Sequence, residues 1–485
     1  MEQSKVNSDT ATPVDRIKTD LCIIGAGSGG LSIAAGAVQM GAKVVLLEGH
    51  KMGGDCLNYG CVPSKALIAA GKQAHAMKTG ESLGVTPVIP EVNYASAKDH
   101  VHNVIATIEP HDSQERFEGL GVQVIREFGR FISPKEVQAG STIIEARRFV
   151  IATGSGPFVP PIPGADETPY YTNENIFDLR DRPDHLIVIG GGPIGLEMAQ
   201  SHIRLGSKVT VIEAAKAMGK DDPELAAIVV EKLRAEGVDI IEGQGAAKLS
   251  GTEGDVSVEL ADGRLIKGSH ILMAVGRKVN IDKLDLKAGN VAHDRAVKVG
   301  ADLKSITNKR VYAVGDAAGG LQFTHVAGYH AGIVIRSALL GLPAKQRTDH
   351  IPWATYTDPE IAQVGLTEAE AKAKHGVKLE VVRAEFSGND RAISEGKTTG
   401  LVKVMVVKGR PVGASIVGPQ AGELIQVWAL AIANNLKMSA ISNMVAPYPT
   451  LGEVNKRAAG AYFSPKLFES PTVKRVVGFV QRWLP

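Results

Sequence analysis

Two cysteines, Cys56 and Cys61, stand in the segment Gly53-Gly54-Asp55-Cys56-Leu57-Asn58-Tyr59-Gly60-Cys61-Val62-Pro63-Ser64-Lys65. The chemistry open to such a pair is dithiol–disulfide exchange. In an undistorted helix, residues at this spacing lie roughly 8–9 Å apart at Cα and point about 140° away from each other, beyond the roughly 7 Å reach of a disulfide. A bridge therefore requires a bend, which Gly60 and Pro63 permit. A strained, accessible bridge is labile and suited to exchange rather than to stapling. A thiolate formed at a helix start is also favoured by the helix dipole and by a nearby cation.

The elements that must position this pair can be read around it. Asp20 to Gly30 reads as a buried strand entering a glycine-rich turn, followed by a small-residue helix, Leu31 to Met40, and a second strand, Lys43 to Glu48. His185 to Gly195 repeats the device, with a helix from Leu196 to Leu205 and a strand from Lys208 to Glu213, at the same interval from first glycine to final acid. Each is a βαβ frame around G-x-G-x-x-G. Gly25 and Gly190 permit the sharp turn, Gly27 and Gly192 let backbone approach a pyrophosphate, and Gly30 and Gly195 let helix pack on strand. The pyrophosphate then lies at a helix N-terminus, and Glu48 or Glu213 accepts hydrogen bonds from a ribose diol. The repeat predicts two dinucleotide sites. At the second, Glu213 repels a 2′-phosphate and Ala214 and Ala215 offer no guanidinium, which favours NADH over NADPH. Lys216 and Lys220 leave NADPH open, since a flexible lysine reaches a phosphate as a point charge.

Composition agrees with a large α/β protein. The 485 residues allow about three domains. With 54 Lys plus Arg against 52 Asp plus Glu, charge gives no ground to expect nucleic acid as a partner. The polar stretch Met1 to Thr19 reads as a tail of a cytoplasmic protein, and no apolar run reaches the length of a membrane span. Three cysteines are poor material for a disulfide framework; Cys22, inside the apolar run Leu21 to Ile24, reads as a buried small hydrophobe. No His/Cys cluster has metal-ligand spacing, so no metal site is expected. His325 and His330 read as structural. The C-terminal stretch Val473 to Leu484 is basic and amphipathic, and is expected to pack within a dimer rather than on a membrane.

The block GGDCLNYGCVPSKAL resembles the active-site segment of the flavoprotein disulfide reductases, the family of dihydrolipoamide dehydrogenase, glutathione reductase and mercuric reductase. So do ATGSGP at Ala152 to Pro157, AVGR at Ala274 to Arg277, YAVGDAAGG at Tyr312 to Gly320, and TDPEIAQVGLTE from Thr357 to Glu368. The resemblance implies an α/β fold with two Rossmann-like domains, for FAD and NAD, and a C-terminal α+β dimerisation domain. Its boundaries would be a polar tail over 1–17, the FAD domain over 18–157 and 281–350, the NAD(P) domain over 158–280, and the interface domain over 351–485. The first glycine turn, Glu48, Thr153, Gly154 and Asp316 would serve FAD; the second turn, Glu213 and Gly276 would serve the nicotinamide coenzyme. Cys61 would stand beside the flavin and Cys56 would exchange with substrate, while Lys65, paired with Glu197, would steady charge on the flavin.

At the site's far end this chain departs from the pattern. Ala446-Pro447-Tyr448-Pro449-Thr450-Leu451-Gly452-Glu453 stands where dihydrolipoamide dehydrogenase and glutathione reductase carry a His-Pro pair and a Glu. Tyr448 replaces the base, and Glu453 keeps the orienting acid's place. A tyrosine near pKa 10 is a poor base at neutral pH. Mercuric reductases carry tyrosine here, but this sequence ends without the cysteine pair that they use to hand over the metal. Ala35 and Gly36 stand where glutathione reductase has arginines, which removes a carboxylate anchor. A lipoyl-type disulfide is the leading acceptor. Reduction of mercuric or another soft ion is the alternative, and a non-catalytic flavin-bearing subunit is the second.

Overall fold

The computed structural model describes residues 15–484, so most of the polar tail lies outside the described residues. The chain divides into two compact units, one of residues 1–63, 103–156 and 277–346, the other of residues 64–102, 157–276 and 347–485. Residues 64–102 thus group with the second unit although they directly follow the cysteine segment.

The first unit is built on a seven-stranded sheet. Gln123–Ile125, Val44–Leu47, Asp15–Ile24, Thr142–Ile151 and Val311–Ala313 pair in parallel, and Glu136–Ala139 and Gly129–Ser133 extend one edge antiparallel. Side chains alternate along the first strand: Leu21 and Ile23 enter one core cluster, Cys22 and Ile24 another. Burial on both faces explains the unbroken apolar run. That strand begins at Asp15, inside the expected tail, because Asp15–Thr19 pairs with Thr142–Ala146. Cys22 is fully buried, and burial pushes its thiol well above the usual range.

The second unit holds three sheets. Asp239–Glu242, Lys208–Glu213, His185–Ile189 and His270–Met273 form a parallel sheet, beside the antiparallel Ala246–Thr252, Asp255–Leu260 and Leu265–Gly268. Five antiparallel strands, Pro352–Thr355, Glu360–Gly365, Arg410–Gly418, Leu401–Val407 and Leu379–Glu385, make up the last. It packs with Gln426–Ala433 and Glu453–Ala461 around Trp428, whose indole N–H donates to Asn455 Oδ1 at 2.8 Å.

Within this unit Lys98 is fully buried, its Nζ donating to Ile176 O at 2.9 Å between the rings of Tyr94 and Phe177. Nearby His202 accepts or donates at Tyr94 Oη, 3.0 Å away, and burial lowers its pKa to about 3. Burial also lowers the Lys98 ammonium from 10.5 to about 7. Between these values only the unfolded chain keeps the proton, so stability rises with pH through that window, by up to about 1.4 kcal/mol per pH unit. Below pH 7 both states are charged and Lys98 adds no slope. Lys98→Met should therefore flatten the rise in unfolding midpoint between pH 7 and 9.5. Parallel rises in both proteins would exclude Lys98 as its source.

Candidate active site

The cysteine segment does not form one bent helix. A short helix, Gly54–Asn58, ends at Tyr59, and an eighteen-residue helix, Cys61–Lys78, starts afresh after Gly60. Cys56 sits in the first helix, half-buried; Cys61 is the exposed first residue of the second. Pro63 falls in that helix's first turn, where its missing N–H costs no intrahelical bond. Cys56 is pushed above the usual thiol range by its hydrogen bond with Cys61 and then by burial. Thr324, the first residue of helix Thr324–Ala338, sets its hydroxyl 3.3 Å from Cys61 Sγ and works in the opposite direction on Cys56.

The same segment is fastened to the first glycine turn. Gly53 N donates to Ala26 O at 3.0 Å, and a Cβ on Gly54 would lie 2.8 Å from Gly27 Cα. Gly53 and Gly54 have φ of 82° and 61°, so both the close approach and the backbone angles call for glycine.

The two glycine turns are near copies. Gly25 and Gly190 have φ of 108° and 113°, and a Cβ on either would strike a carbonyl, Ala152 O at 2.5 Å or Ala274 O at 2.4 Å. The following helices, Ser28–Gln39 and Pro193–Arg204, start earlier than the sequence suggests, so Gly30 and Gly195 lie in their first turns. There a Cβ would come within 1.9 Å of Gly25 O or 2.0 Å of Gly190 O. A Cβ on Gly192 would meet nothing within 4 Å, and one on Gly27 only Gly54 Cα at 3.9 Å. Glu48 accepts from Ala26 N at 2.7 Å and His50 N at 2.7 Å; Glu213 accepts from Gly191 N at 2.7 Å and Ala215 N at 2.8 Å. Each carboxylate is thereby oriented by its own turn, with further lone pairs to offer a ligand.

A polar chain crosses the first unit. Arg277 Nη2 pairs with Asp55 Oδ1 at 2.9 Å, and its Nε donates to Ser155 Oγ at 2.7 Å. Ser155 Oγ in turn donates to Asp316 Oδ2 at 2.5 Å. Burial raises the Asp316 carboxyl above the usual range, partly offset by that hydroxyl. Ser155 and Asp55 were not singled out in the sequence, although both lie inside its diagnostic segments. His330 is structural: Nδ1 accepts from Gly315 N at 3.1 Å and Nε2 faces Gln346 Oε1 at 2.9 Å, the neutral arrangement that burial also favours.

In the second unit, Lys65 Nζ and Glu197 Oε2 are 3.0 Å apart, with Glu197 buried. Glu197 Oε1 accepts from Tyr356 N at 2.9 Å, and Lys65 lies 4.4 Å above the Tyr356 ring. Tyr356 carried no sequence signal for this role. Farther along the chain, exposed Tyr448 donates its phenol proton to Asp390 Oδ2 at 2.9 Å, and Arg457 Nη2 stands 3.6 Å from Asp390 Oδ1. Asp390, not Glu453, is the acid bonded to Tyr448; Glu453 opens the helix Glu453–Ala461. The Asp390 carboxylate holds the Tyr448 phenol above its usual pKa, so this side chain keeps its proton at neutral pH.

Residues 19–331 match the profile of pyridine nucleotide-disulphide oxidoreductases, and residues 351–459 match the dimerisation domain of the same group. The chain belongs to this family. The oxidoreductase is 33% identical over 470 residues to a mercuric reductase of Bacillus cereus, covering 94% of this chain and 74% of that one. It is 30% identical over 446 residues to the dihydrolipoyl dehydrogenase of Bacillus subtilis, covering 89% and 96%. Among solved structures, LpdA from Mycobacterium tuberculosis superposes with a TM-score of 0.84 at 26% identity, covering 92% and 99%. The Cu(II) complex of the HOCl-induced flavoprotein disulfide reductase RclA from Escherichia coli gives 0.82 at 26% identity, with the same coverage.

Membership makes this α/β enzyme an NAD(P)H-dependent flavoprotein of the disulfide reductase group, and its dimerisation domain supports a homodimer. The residues present fit both cofactors. Each glycine turn leaves its middle glycine open to a diphosphate, and each carries an oriented acid. In the first unit the buried Thr153 Oγ1 has no hydrogen-bond partner, and a Cβ on neighbouring Gly154, with φ of 62°, would meet nothing within 4 Å. Gly276 in the second unit is likewise open, with φ of 135°.

Proposed function

We propose that this oxidoreductase uses NADH in preference to NADPH and exchanges electrons with a small or protein-borne disulfide of the lipoyl type through Cys56 and Cys61. The observation that carries this reading is the dithiol itself, accessible and fastened by its own segment to the first glycine turn. FAD, when bound, supplies the two-electron relay between a nicotinamide and a dithiol. The first turn, Glu48, Thr153, Gly154 and Asp316 would hold it; the second turn, Glu213 and Gly276 would hold the coenzyme.

Within this reading Cys61 is the thiol that best carries negative charge, because it begins a long helix and faces the Thr324 hydroxyl. Cys56 attacks one sulfur of the acceptor, releasing the other as a thiolate and forming a mixed disulfide. Cys61 then attacks Cys56, releases the second acceptor thiol and closes the Cys56–Cys61 bridge, so two electrons leave the protein. Lys65, fixed by Glu197, would counter negative charge on the bound flavin. Tyr448, held by Asp390, would supply a proton to a leaving thiolate, with Glu453 near it in sequence. Absence of arginine at Ala35 and Gly36 supports an acceptor without a peptide carboxylate. A reducing compartment, the cytoplasm, suits such a dithiol.

Tyr448 also favours a second reading, a soft metal ion such as Hg(II) taken by the two thiolates with phenol assistance. Cys22, the third cysteine, is buried and offers no relay thiol. Anaerobic stopped-flow with NADH or NADPH, followed by lipoamide, glutathione disulfide or mercuric ion, tests both. Reoxidation by lipoamide well ahead of the others supports the main reading, whereas mercuric ion alone reoxidising the protein supports the second. Reoxidation by none of them faster than by oxygen refutes both.

The Tyr448–Asp390 bond gives a separate expectation. Tyr448→Phe should lower turnover about 10²-fold. Asp390→Asn should return the Tyr448 pKa toward 10, read as the difference in phenolate absorbance between parent and Tyr448→Phe proteins during alkaline titration. An unchanged titration in Asp390→Asn would show that the carboxylate does not control the phenol.

A further inference from the structure

The helix Pro471–Trp483 follows the residues matched by the dimerisation profile, which end at 459. Ser470 caps it by accepting from Val473 N, and none of its residues is buried in the protomer. At about 100° per residue, Val473, Val476, Val477, Phe479, Val480 and Trp483 fall on one arc, and Lys474, Arg475, Gln481 and Arg482 on the other. Phe479 and Trp483 are 62% and 65% exposed. Residues 470–485 contain three cations and no acid, enough that the chain's formal charge of +2 turns negative without them. Among the described residues no helix is long and apolar enough to cross a membrane.

We propose that this helix docks in the interface of an anionic lipid bilayer, lying in the plane with its valines, Phe479 and Trp483 inserted and Lys474, Arg475 and Arg482 toward the headgroups. Charge complementarity joins the uncovered apolar arc here: a basic amphipathic helix binds through apolar area and attraction to anionic lipid together. Aromatic rings also favour that depth. The sequence pattern alone favours packing against a second copy. A contact of the apolar arc with a second copy, however, would leave Lys474, Arg475 and Arg482 on the outward arc with no acid on either helix to pair them, whereas anionic headgroups supply that charge. Two such helices per homodimer raise avidity without new contacts.

The test is co-sedimentation of the flavin-loaded, full-length protein with vesicles of phosphatidylglycerol and phosphatidylcholine, or of phosphatidylcholine alone. The protein should pellet with the anionic vesicles about 10-fold or more in preference to neutral ones, and high salt should release it. Emission from exposed Trp483 should shift to the blue on binding. The combined change Lys474→Glu, Arg475→Glu and Arg482→Glu should weaken binding about 100-fold or more while NADH oxidation and flavin content stay unchanged. Parent protein that stays in the supernatant with anionic vesicles overturns the proposal, as does a charge-reversed protein that pellets equally well. A charge-reversed protein that elutes as a monomer also overturns it, since the helix would then belong to the dimer contact.

Discussion

Cys56→Ser should leave a yellow protein whose flavin NADH still reduces, but whose turnover with a disulfide acceptor falls roughly 10³-fold or more. Cys61→Ser should lose turnover as severely and also lose the long-wavelength absorbance that a thiolate beside a flavin produces. The two substitutions differ because the thiols differ: Cys61 starts a helix beside Thr324, whereas Cys56 is half-buried and raised in pKa by its bond to Cys61. Exposure alone would make Cys61 the exchanging thiol, so the spectra and the turnover together decide the order. Turnover preserved in Cys56→Ser would rule out thiol relay by this residue.

The second large effect concerns the glycine turns. Gly30→Ala should yield protein that purifies with little flavin, and Gly195→Ala should keep flavin but bind the nicotinamide coenzyme about 10- to 100-fold more weakly. In each, the added Cβ would meet the carbonyl of the first glycine at 1.9 or 2.0 Å, a backbone atom that cannot swing aside. The turn must shift, and with it the N–H groups that would face a bound diphosphate. Flavin content and coenzyme affinity are read by absorbance and by titration. Equal loss of both cofactors in both variants would mean that the turns are not assigned separately.

Much of this site could be read from the chain because its signals are local. The glycine turns, their acids and the cysteine segment each occupy a short stretch whose residue types have few alternative uses, and the alternation of Leu21, Cys22, Ile23 and Ile24 shows in the strand's two-faced burial. Element starts were less legible. Asp15–Thr19 gains strand structure from pairing with Thr142–Ala146, which its polar composition does not announce, and glycines read as turn residues also serve as the first turn of a helix. Gly60 permits either a bend or a break after Tyr59, and the sequence does not choose between them. Tertiary partners were the least visible: Asp390 lies 58 residues from Tyr448, and Thr324 lies 263 from Cys61. No local pattern could select Asp390 over Glu453, which stands close to Tyr448 in sequence.

The most direct measurement is anaerobic titration of the flavin-loaded protein with reductant, sampled for thiol alkylation and mass analysis at each step. The account predicts that the first two electrons per protomer make Cys56 and Cys61 alkylatable while a long-wavelength absorbance rises and the main flavin band persists. Bleaching of that band by the first two electrons, with no gain in alkylation at either cysteine, would contradict it.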